Sequence, residues 1–362
     1  MMETGKGYKT GGTVLLDVGG TNLKGAYTET DSVQSGQICQ FPAMADGGRE
    51  EILAHLAAVI GELAGPARVE RIGFAFPGPF DYARGISQMR GIGKYDAIFG
   101  VPLREALVRR RPELAEARFL FLHDIEAFAL GESACGEARR ERRLFCLCIG
   151  TGAGSAFLED GKVLKGTAEE NAAGEMRQDC GAANAPVEMR QDCARQAGVA
   201  VPRNGWIYDT PFRDSIIDDY LSVRGLKKIA REVLGYEADG RELARLCAVG
   251  TALEPAGAGA AAEYAGTLEK DRMAEAALAR EVWRQFGQVL AEAAEPFLAA
   301  FRPDGIVLGG QISKSFAYFG EALQKICADR QVRIYLEPQT SLRAMQGLQQ
   351  AMRGEAVGSG KE

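Results

Sequence analysis

The chain alternates short apolar runs, which are typical of buried strands, with longer stretches whose apolar residues recur at helical spacing. Strands are predicted at residues 14–16, 71–76, 119–122, 144–149 and 305–308. Helices are predicted at residues 50–64, 102–108, 125–134, 272–301 and 342–352, and a further helix is expected after Ser313. This succession of strands and helices is typical of an α/β protein.

Residues 14–27 predict a hairpin whose turn can hold an anion. Asp17 stands where the first strand should end, and Gly19-Gly20 lets the backbone approach another group closely, because no Cβ stands in the way. Successive N–H groups in such a turn form a concave anion site, to which Thr21 adds a hydroxyl and Lys24 a charge. A tight hairpin in which these side chains only satisfy backbone groups is an equally good interpretation. The segment is neither a P-loop nor a dinucleotide-binding fingerprint, because no Gly-Lys-Ser/Thr ending is present and a strand follows the glycines.

Residues 144–158 repeat this design, with an apolar strand, a loop containing Gly150, Thr151 and Gly152, and a second apolar strand. Two such hairpins about one domain length apart indicate a duplicated architecture in which each half offers a glycine turn to a shared cleft. A polyphosphate held from two sides would account for both turns. A third strand runs into Gly309-Gly310, where the backbone can touch a flat ring or phosphate can meet a helix N-terminus. A plain strand-to-helix turn is the alternative.

Two more strand ends carry candidate ligand groups. The sequence Pro77-Gly78-Pro79 forces a rigid turn after residues 71–76, where a ligand can meet fixed backbone, although an ordinary turn is the simpler interpretation. His123 and Asp124 end the strand at 119–122. Asp124 is either a general base at a strand's carboxyl end, where α/β proteins bind ligands, or the N-cap of the next helix. Taken alone, the residue favours the N-cap, and His123 is more simply a hydrogen-bonded boundary residue.

The composition limits the class of partner. With 46% hydrophobic and 25% charged residues, the 362-residue chain can form a sizeable core and suits two domains of ordinary size. A net charge of -6 without a basic run argues against nucleic acid and favours a small molecule. We expect a cytoplasmic protein with no membrane partner, because neither a secretory signal nor ~18 consecutive apolar residues are found. The eight cysteines are expected to be free thiols.

Taken together, these stretches resemble the ROK (repressor, ORF, kinase) family of sugar kinases, within the actin-like ATPase superfamily, over about residues 12–350. In order along the chain, residues 17–24 resemble its first phosphate motif, 77–79 its sugar-side turn, 149–154 its second phosphate motif and 307–312 its adenosine motif. The resemblance implies a two-lobed, actin-like (ribonuclease H-like) duplicated α/β fold with a cleft between the lobes. The expected lobes are residues 12–125 and 126–341, with a helix at 342–352 packing back on the first lobe and flexible tails at 1–11 and 353–362.

By the same resemblance, Asp124 is the catalytic base, Glu175 binds a sugar hydroxyl, and Asp17 holds Mg²⁺ through water. The expected nucleotide is ATP, and its binding residues are Asp17, Gly19, Gly20, Thr21, Lys24, Gly150, Thr151, Gly152, Gly309 and Gly310. The sugar is expected near Gly78, His123, Asp124 and Glu175. Lys94 and Asp96, in the long polar loop at 82–100, are further candidate sugar contacts, although a solvated loop face is the simpler account of either. A homodimer is expected only because relatives commonly form one.

The sequence departs from the family pattern at the sugar side. His123 stands where the family usually has asparagine, and Arg177 and Gln178 replace the Gly-His that normally follows Gly-Glu. The hexapeptide beginning at Glu175 recurs at Glu188, so either glutamate is a candidate for the sugar ligand. The family's cysteine-rich motif is missing, and we therefore predict no structural zinc.

These features predict an ATP-dependent kinase of a hexose or amino sugar. A non-catalytic sugar or nucleotide sensor of the same fold is the alternative, and the departures at the sugar side are what keep it open. A repressor is not expected, because the first strand begins near Thr13 and leaves no room for an N-terminal helix-turn-helix.

Overall fold

Strands and helices alternate along the chain, as the apolar pattern predicts. The computed structural model describes residues 11–30, 32–166, 201–202, 204–249 and 260–358. The strands are β1 (Gly12–Val18), β2 (Asn22–Thr28), β3 (Cys39–Pro42), β4 (Val69–Phe76), β5 (Phe80–Asp81), β6 (Ile86–Ser87), β7 (Arg118–His123), β8 (Arg143–Ile149), β9 (Ala153–Glu159), β10 (Lys162–Leu164), β11 (Pro211–Phe212), β12 (Ser215–Ile216), β13 (Gly305–Gly309) and β14 (Arg333–Leu336). The helices are α1 (Arg49–Ala64), α2 (Leu103–Arg110), α3 (Asp124–Cys135), α4 (Ile217–Tyr220), α5 (Val223–Leu234), α6 (Gly240–Val249), α7 (Ala260–Phe301), α8 (Phe316–Phe319), α9 (Glu321–Asp329) and α10 (Thr340–Gly358).

Two five-stranded sheets repeat one topology. The first has the order β3-β2-β1-β4-β7 and the second the order β10-β9-β8-β13-β14. In each sheet the first three strands are antiparallel neighbours, and the last two join in parallel. Sequence order, spatial order and strand direction therefore agree between the halves, and the predicted duplicated α/β architecture is confirmed.

The chain divides into two compact units, one formed by Met1–Arg139 with Gln339–Glu362 and the other by Arg140–Pro338. The first unit therefore extends beyond the predicted boundary at residue 125, because α3 packs along α10. At this contact a Cβ on Gly131 would lie 1.8 Å from the carbonyl oxygen of Arg343, and one on Gly347 would lie 1.7 Å from that of Ala127. The two glycines thus let the helix backbones touch.

Several predicted helix limits are wrong. Helix α10 continues past residue 352 to Gly358, so residues 353–358 are helical and do not belong to a flexible tail. Helix α7 begins at Ala260 and not near residue 272. The stretch after Ser313 is a short 3-10 turn, Ile312–Ser315, followed by α8 and α9 in place of one continuous helix.

Each unit has its own hydrophobic core. In the first, α1 buries Ile52, Leu56 and Ile60, whose spacing places them on one helix face. In the second, Phe145 of β8 stacks on Phe157 of β9 with ring centroids 4.7 Å apart, and Phe297 of α7 lies 6.1 Å from Phe145. These cores fix the strand ends from which the predicted site residues project.

Candidate functional site

A cluster of three polar side chains lies at the first hairpin. Asp17 faces Lys24 across the β1–β2 ladder, and Nζ of Lys24 donates a hydrogen bond to Oγ of Ser341, 2.9 Å away. The Ser341 hydroxyl, in the first turn of α10, in turn donates to the carboxylate of Asp17. Burial raises the pKa of Asp17, and the charge of Asp124 adds to that rise, whereas the Ser341 hydrogen bond and Lys24 oppose it. Sequence reasoning missed Ser341, because a lone serine at a helix start gives no functional signal.

The turn of this hairpin has the geometry of an anion site. The N–H of Gly19 donates to the carbonyl of Asn22 at 3.0 Å, and a Cβ at Gly19 would lie 2.7 Å from that same oxygen. Within the described part of the chain, the next two N–H groups, of Gly20 and Thr21, donate to no acceptor. The hydroxyl of the buried Tyr95 donates to the Gly19 carbonyl at 2.8 Å. Tyr95, which sequence reasoning also missed, therefore ties the loop at 82–100 to the turn.

Asp124 begins α3 directly after β7, and its side chain remains 43% exposed. Its Oδ1 lies 2.8 Å from Nδ1 of His123 and accepts the N–H of Ile125 at 2.7 Å. Burial by itself raises the pKa of Asp124, but the His123 imidazole, the Ile125 N–H and the charge of Lys94 together lower it below its usual value. The N-cap of α3 is His123, so the interpretation of Asp124 as the N-cap is wrong. A partly exposed carboxylate held in its ionised form can accept a proton from a ligand.

Gly78 and His123 lie side by side at the ends of β4 and β7, which are parallel neighbours. A Cβ on Gly78 would lie 3.3 Å from Nε2 of His123 and 3.4 Å from the hydroxyl oxygen of Tyr82. Tyr82 donates to the carbonyl of Phe76 at 3.0 Å, and its ring centroid is 5.7 Å from that of His123. The predicted sugar-side residues Gly78, His123 and Asp124 are therefore brought together.

Asp96 is engaged by its own loop. Its two carboxylate oxygens accept the N–H of Ile92 at 3.2 Å and the N–H of Gly93 at 3.3 Å. These bonds give Asp96 a structural role in the loop at 82–100, and its contact with a sugar stays a prediction.

In the second unit, Asp218 shapes the second hairpin. Its Oδ1 accepts the N–H of Ala153 at 2.7 Å, and a Cβ on Gly152 would lie 2.7 Å from the same oxygen. Nη2 of Arg224 lies 2.6 Å from Oδ2 of Asp218. The N–H of Gly150 bonds to the Gly152 carbonyl at 3.0 Å, much as Gly19 bonds to Asn22 in the first hairpin. A glycine is therefore required at position 152, because the Asp218 carboxylate approaches it closely. Sequence reasoning gave Asp218 no role.

The glycines after β13 lie against the second hairpin. Gly309 pairs with Cys148 across the β8–β13 ladder. Gly310 has a φ of 89°, and a Cβ there would lie 2.3 Å from the carbonyl oxygen of Ile149, the residue before Gly150. The predicted adenosine motif and the loop with Gly150 and Thr151 are thus neighbours within one unit.

Some predictions concern residues or groups that the structure does not test. Glu175 and Glu188 lie outside the described residues, so their role as a sugar ligand stays a prediction. Among the described residues, no three or more His, Cys, Asp or Glu side chains come together to hold a metal ion. The prediction of no structural zinc nevertheless stays a prediction. No helix in the described ranges is both long and apolar enough to cross a membrane.

The chemistry of the Asp17 cluster fits a magnesium ion. A carboxylate whose pKa is raised by burial lacks full compensation for its charge, and a nearby cation would supply it. Magnesium keeps several waters and needs only one or two carboxylates, which matches a single aspartate beside a turn with free N–H groups.

Two halves of matching topology, each with a glycine hairpin beside parallel strands, define the actin-like class of fold, which confirms the predicted fold class. The ROK family model matches residues 13–357, and the chain belongs to the ROK family.

Sugar kinases are among the proteins that the chain is similar to. The glucokinase of Thermotoga maritima is 26% identical over 152 residues, which are 42% of this chain and 45% of that enzyme. The ROK hexokinase of Thermus thermophilus superposes with a TM-score of 0.64 and 18% identity, covering 96% of this chain and 99% of the other. A ROK glucokinase of Streptomyces griseus, solved with glucose and AMPPNP, gives a TM-score of 0.61 and 16% identity over 95% of this chain and all of the other (100%). At such identities the two solved structures show a shared fold.

Proposed function

We propose that this protein transfers the terminal phosphoryl group of ATP to a hydroxyl of a hexose or amino sugar. The observation that carries the proposal is the state of Asp124, a partly exposed carboxylate at a strand end. Burial acts to raise its pKa, but the neighbouring groups outweigh burial and the net pKa is lowered. Asp17 and the anion turn at Gly19-Gly20 belong to the same compact unit. The similarity to a glucokinase and to a ROK hexokinase supports a sugar as the acceptor.

Asp124 acts as the general base of this reaction. It takes the proton of the sugar hydroxyl while the sugar oxygen forms a bond to the terminal phosphorus, and the bond between that phosphorus and the departing ADP oxygen breaks. Such proton transfer contributes ~10²–10⁴-fold to the rate. The His123 imidazole, 2.8 Å from Asp124, keeps the carboxylate ionised and therefore able to accept the proton.

Each glycine hairpin has its own proposed contacts. At the first hairpin, the N–H groups of Gly20 and Thr21 bind phosphate and Asp17 holds Mg²⁺ through water. At the second hairpin, the loop at Gly150 to Gly152 binds phosphate and the neighbouring Gly309-Gly310 contacts the adenosine. When bound, the magnesium ion neutralises charge on the phosphates.

The alternative function is a sugar or nucleotide sensor that performs no chemistry. Its support is that the ROK family also includes repressors without enzymatic activity, together with His123 at a position where the family usually has asparagine. The ionised Asp124 argues against it, because a sensor does not need a base beside the phosphate turn.

The experiment compares the parental protein with Asp124→Asn in sugar-dependent ADP release over a panel of hexoses and amino sugars. We expect the parental protein to turn over at least one sugar, and Asp124→Asn to lose ~10²–10⁴-fold in kcat while AMPPNP binding is nearly unchanged. If Asp124→Asn phosphorylates sugar at the parental rate, Asp124 is not the general base. Sugar binding without turnover in the parental protein would favour the sensor.

A further inference from the structure

Lys94, in the loop at 82–100, lies over the phosphate turn, and its charge acts on the proposed base. A Cβ on the exposed Gly20 would lie 3.5 Å from Cδ of Lys94, so the lysine side chain passes over the turn. Its positive charge also lowers the pKa of Asp124, against the effect of burial. The ammonium is therefore placed where a phosphoryl group would move from the turn toward a sugar beside Asp124.

The ammonium of Lys94 is available to a ligand. Among the described residues, it makes neither a hydrogen bond nor an ion pair within 4 Å, although the side chain is partly buried. Lys24, the other lysine at this turn, instead donates to Ser341 and faces Asp17. A partly buried positive charge without a protein partner is stabilised by a bound anion.

The backbone on either side of Lys94 is firmly held. The buried Tyr95 bonds through its hydroxyl to the Gly19 carbonyl at 2.8 Å and through its N–H to the Ala45 carbonyl at 2.5 Å. Asp96 accepts the N–H groups of Ile92 and Gly93. Lys94 is thus presented from a pre-ordered loop, and a positive charge that needs no reorganisation contributes most to transition-state stabilisation.

We propose that Lys94 is a catalytic residue whose ammonium contacts the transferred phosphoryl group. The inference rests on the proposed function. It assigns the phosphoryl contact to Lys94, whereas Lys24 is a positioning residue that holds Ser341 and Asp17. As the sugar oxygen forms its bond to phosphorus and the bond to ADP breaks, the ammonium balances charge on the phosphoryl oxygens while Asp124 takes the proton.

The test measures kcat and KM separately for Lys94→Met, Lys94→Arg and a control. Lys94→Met keeps the unbranched stem of the side chain, without the terminal ammonium, and we expect kcat to fall about 10²–10³-fold with little change in KM for the sugar. Lys94→Arg keeps the charge and should recover part of the loss. Lys325→Met, on the exposed face of α9, should match the parental protein.

Thermal unfolding of each variant accompanies the kinetics, and partial recovery by Lys94→Arg separates loss of charge from loss of structure. An unchanged kcat in Lys94→Met would overturn the inference, as would a raised KM for the sugar at unchanged kcat, which would make Lys94 a sugar ligand. In both cases the active parental protein leaves the proposed function standing. A parental protein that phosphorylates no sugar would overturn both.

Discussion

The ammonium of Lys24 and the hydroxyl of Ser341 are joined by a hydrogen bond of 2.9 Å, although 317 positions separate them in the chain. The Ser341 hydroxyl also donates a hydrogen bond to Asp17, so the first turn of α10 completes the polar cluster of the first hairpin. The helix that returns to the first unit after the whole second unit thus fixes the orientation of the proposed magnesium ligand.

Replacing Ser341 by alanine removes the group that orients Asp17 and Lys24. Because such supporting contacts typically change metal affinity or activity about 10–100-fold, we expect Ser341→Ala to weaken binding of Mg·AMPPNP by about that factor. Titration calorimetry measures the affinity directly. Ser341→Thr keeps the hydroxyl and should stay closer to the parental value. Equal affinity in the parental protein and Ser341→Ala would show that Ser341 does not support the metal site.

Replacing His123 by asparagine should shift the acid limb of the pH profile. The imidazole is one of the groups that lower the pKa of Asp124 against the effect of burial, and a neutral amide would let that pKa rise. Less Asp124 is then ionised at acid pH, so the acid limb of kcat/KM moves to higher pH, while the rate near neutral pH changes little.

The control for this prediction is the other histidine of the chain. His55 lies on α1, where its Nε2 donates to the carbonyl of Pro42 at 2.7 Å. His55→Asn should leave the acid limb where it is. An acid limb that stays in place in His123→Asn, or moves to lower pH, would contradict the assigned role of the imidazole.

Gly152 and Asp218 should be coupled in stability. A methyl group on Gly152 would push the carboxylate away from the N–H of Ala153, because it would lie 2.7 Å from Oδ1. Overpacking of this kind costs about 1–3 kcal/mol. We expect Gly152→Ala to lower the free energy of unfolding by about that amount, and to lower it less when Asp218→Ala is already present.

Chemical denaturation of both single variants and the double variant measures this coupling. Gly150→Ala in the same loop is the matched control, since a Cβ there has no neighbour within 4 Å. If the changes in the free energy of unfolding of the two single variants simply add up in the double variant, Gly152 and Asp218 are not coupled and the prediction is wrong.

The crossing of α3 and α10 should not tolerate a side chain at its centre. Gly131→Ala would place a methyl group 1.8 Å from the carbonyl oxygen of Arg343, so the helices would have to separate. We expect a loss of about 1–3 kcal/mol or more. Gly354→Ala, farther along α10 where a Cβ has no neighbour within 4 Å, should instead stabilise the protein by about 0.5–1 kcal/mol. Thermal unfolding compares the two, and equal unfolding temperatures would contradict the close contact.

The fold class and the two glycine turns could be predicted from the sequence because their signals are local. An apolar run followed by glycines predicts a strand and a turn within about ten residues, and the repetition of that pattern at Gly19 and Gly150 indicated the duplication. The ends of helices are harder to predict, because contacts with distant segments decide where a helix begins and ends. Asp124 has the residue type of an N-cap, yet α3 begins at Asp124 itself, one residue earlier than a cap at Asp124 would require, and the cap is His123 at the end of β7.

What the sequence by itself determined was which strands and turns form, because those depend on neighbouring residues. Only the tertiary structure decided which side chains complete them. Ser341 reaches Asp17 and Lys24, Tyr95 ties its loop to Gly19, and Asp218 enters the second hairpin. The same is true of Lys94, which alone is only a charged loop residue. Its side chain lies over Gly20 and its charge acts on Asp124 because the fold brings together segments that are far apart in the chain, and such contacts leave no local pattern.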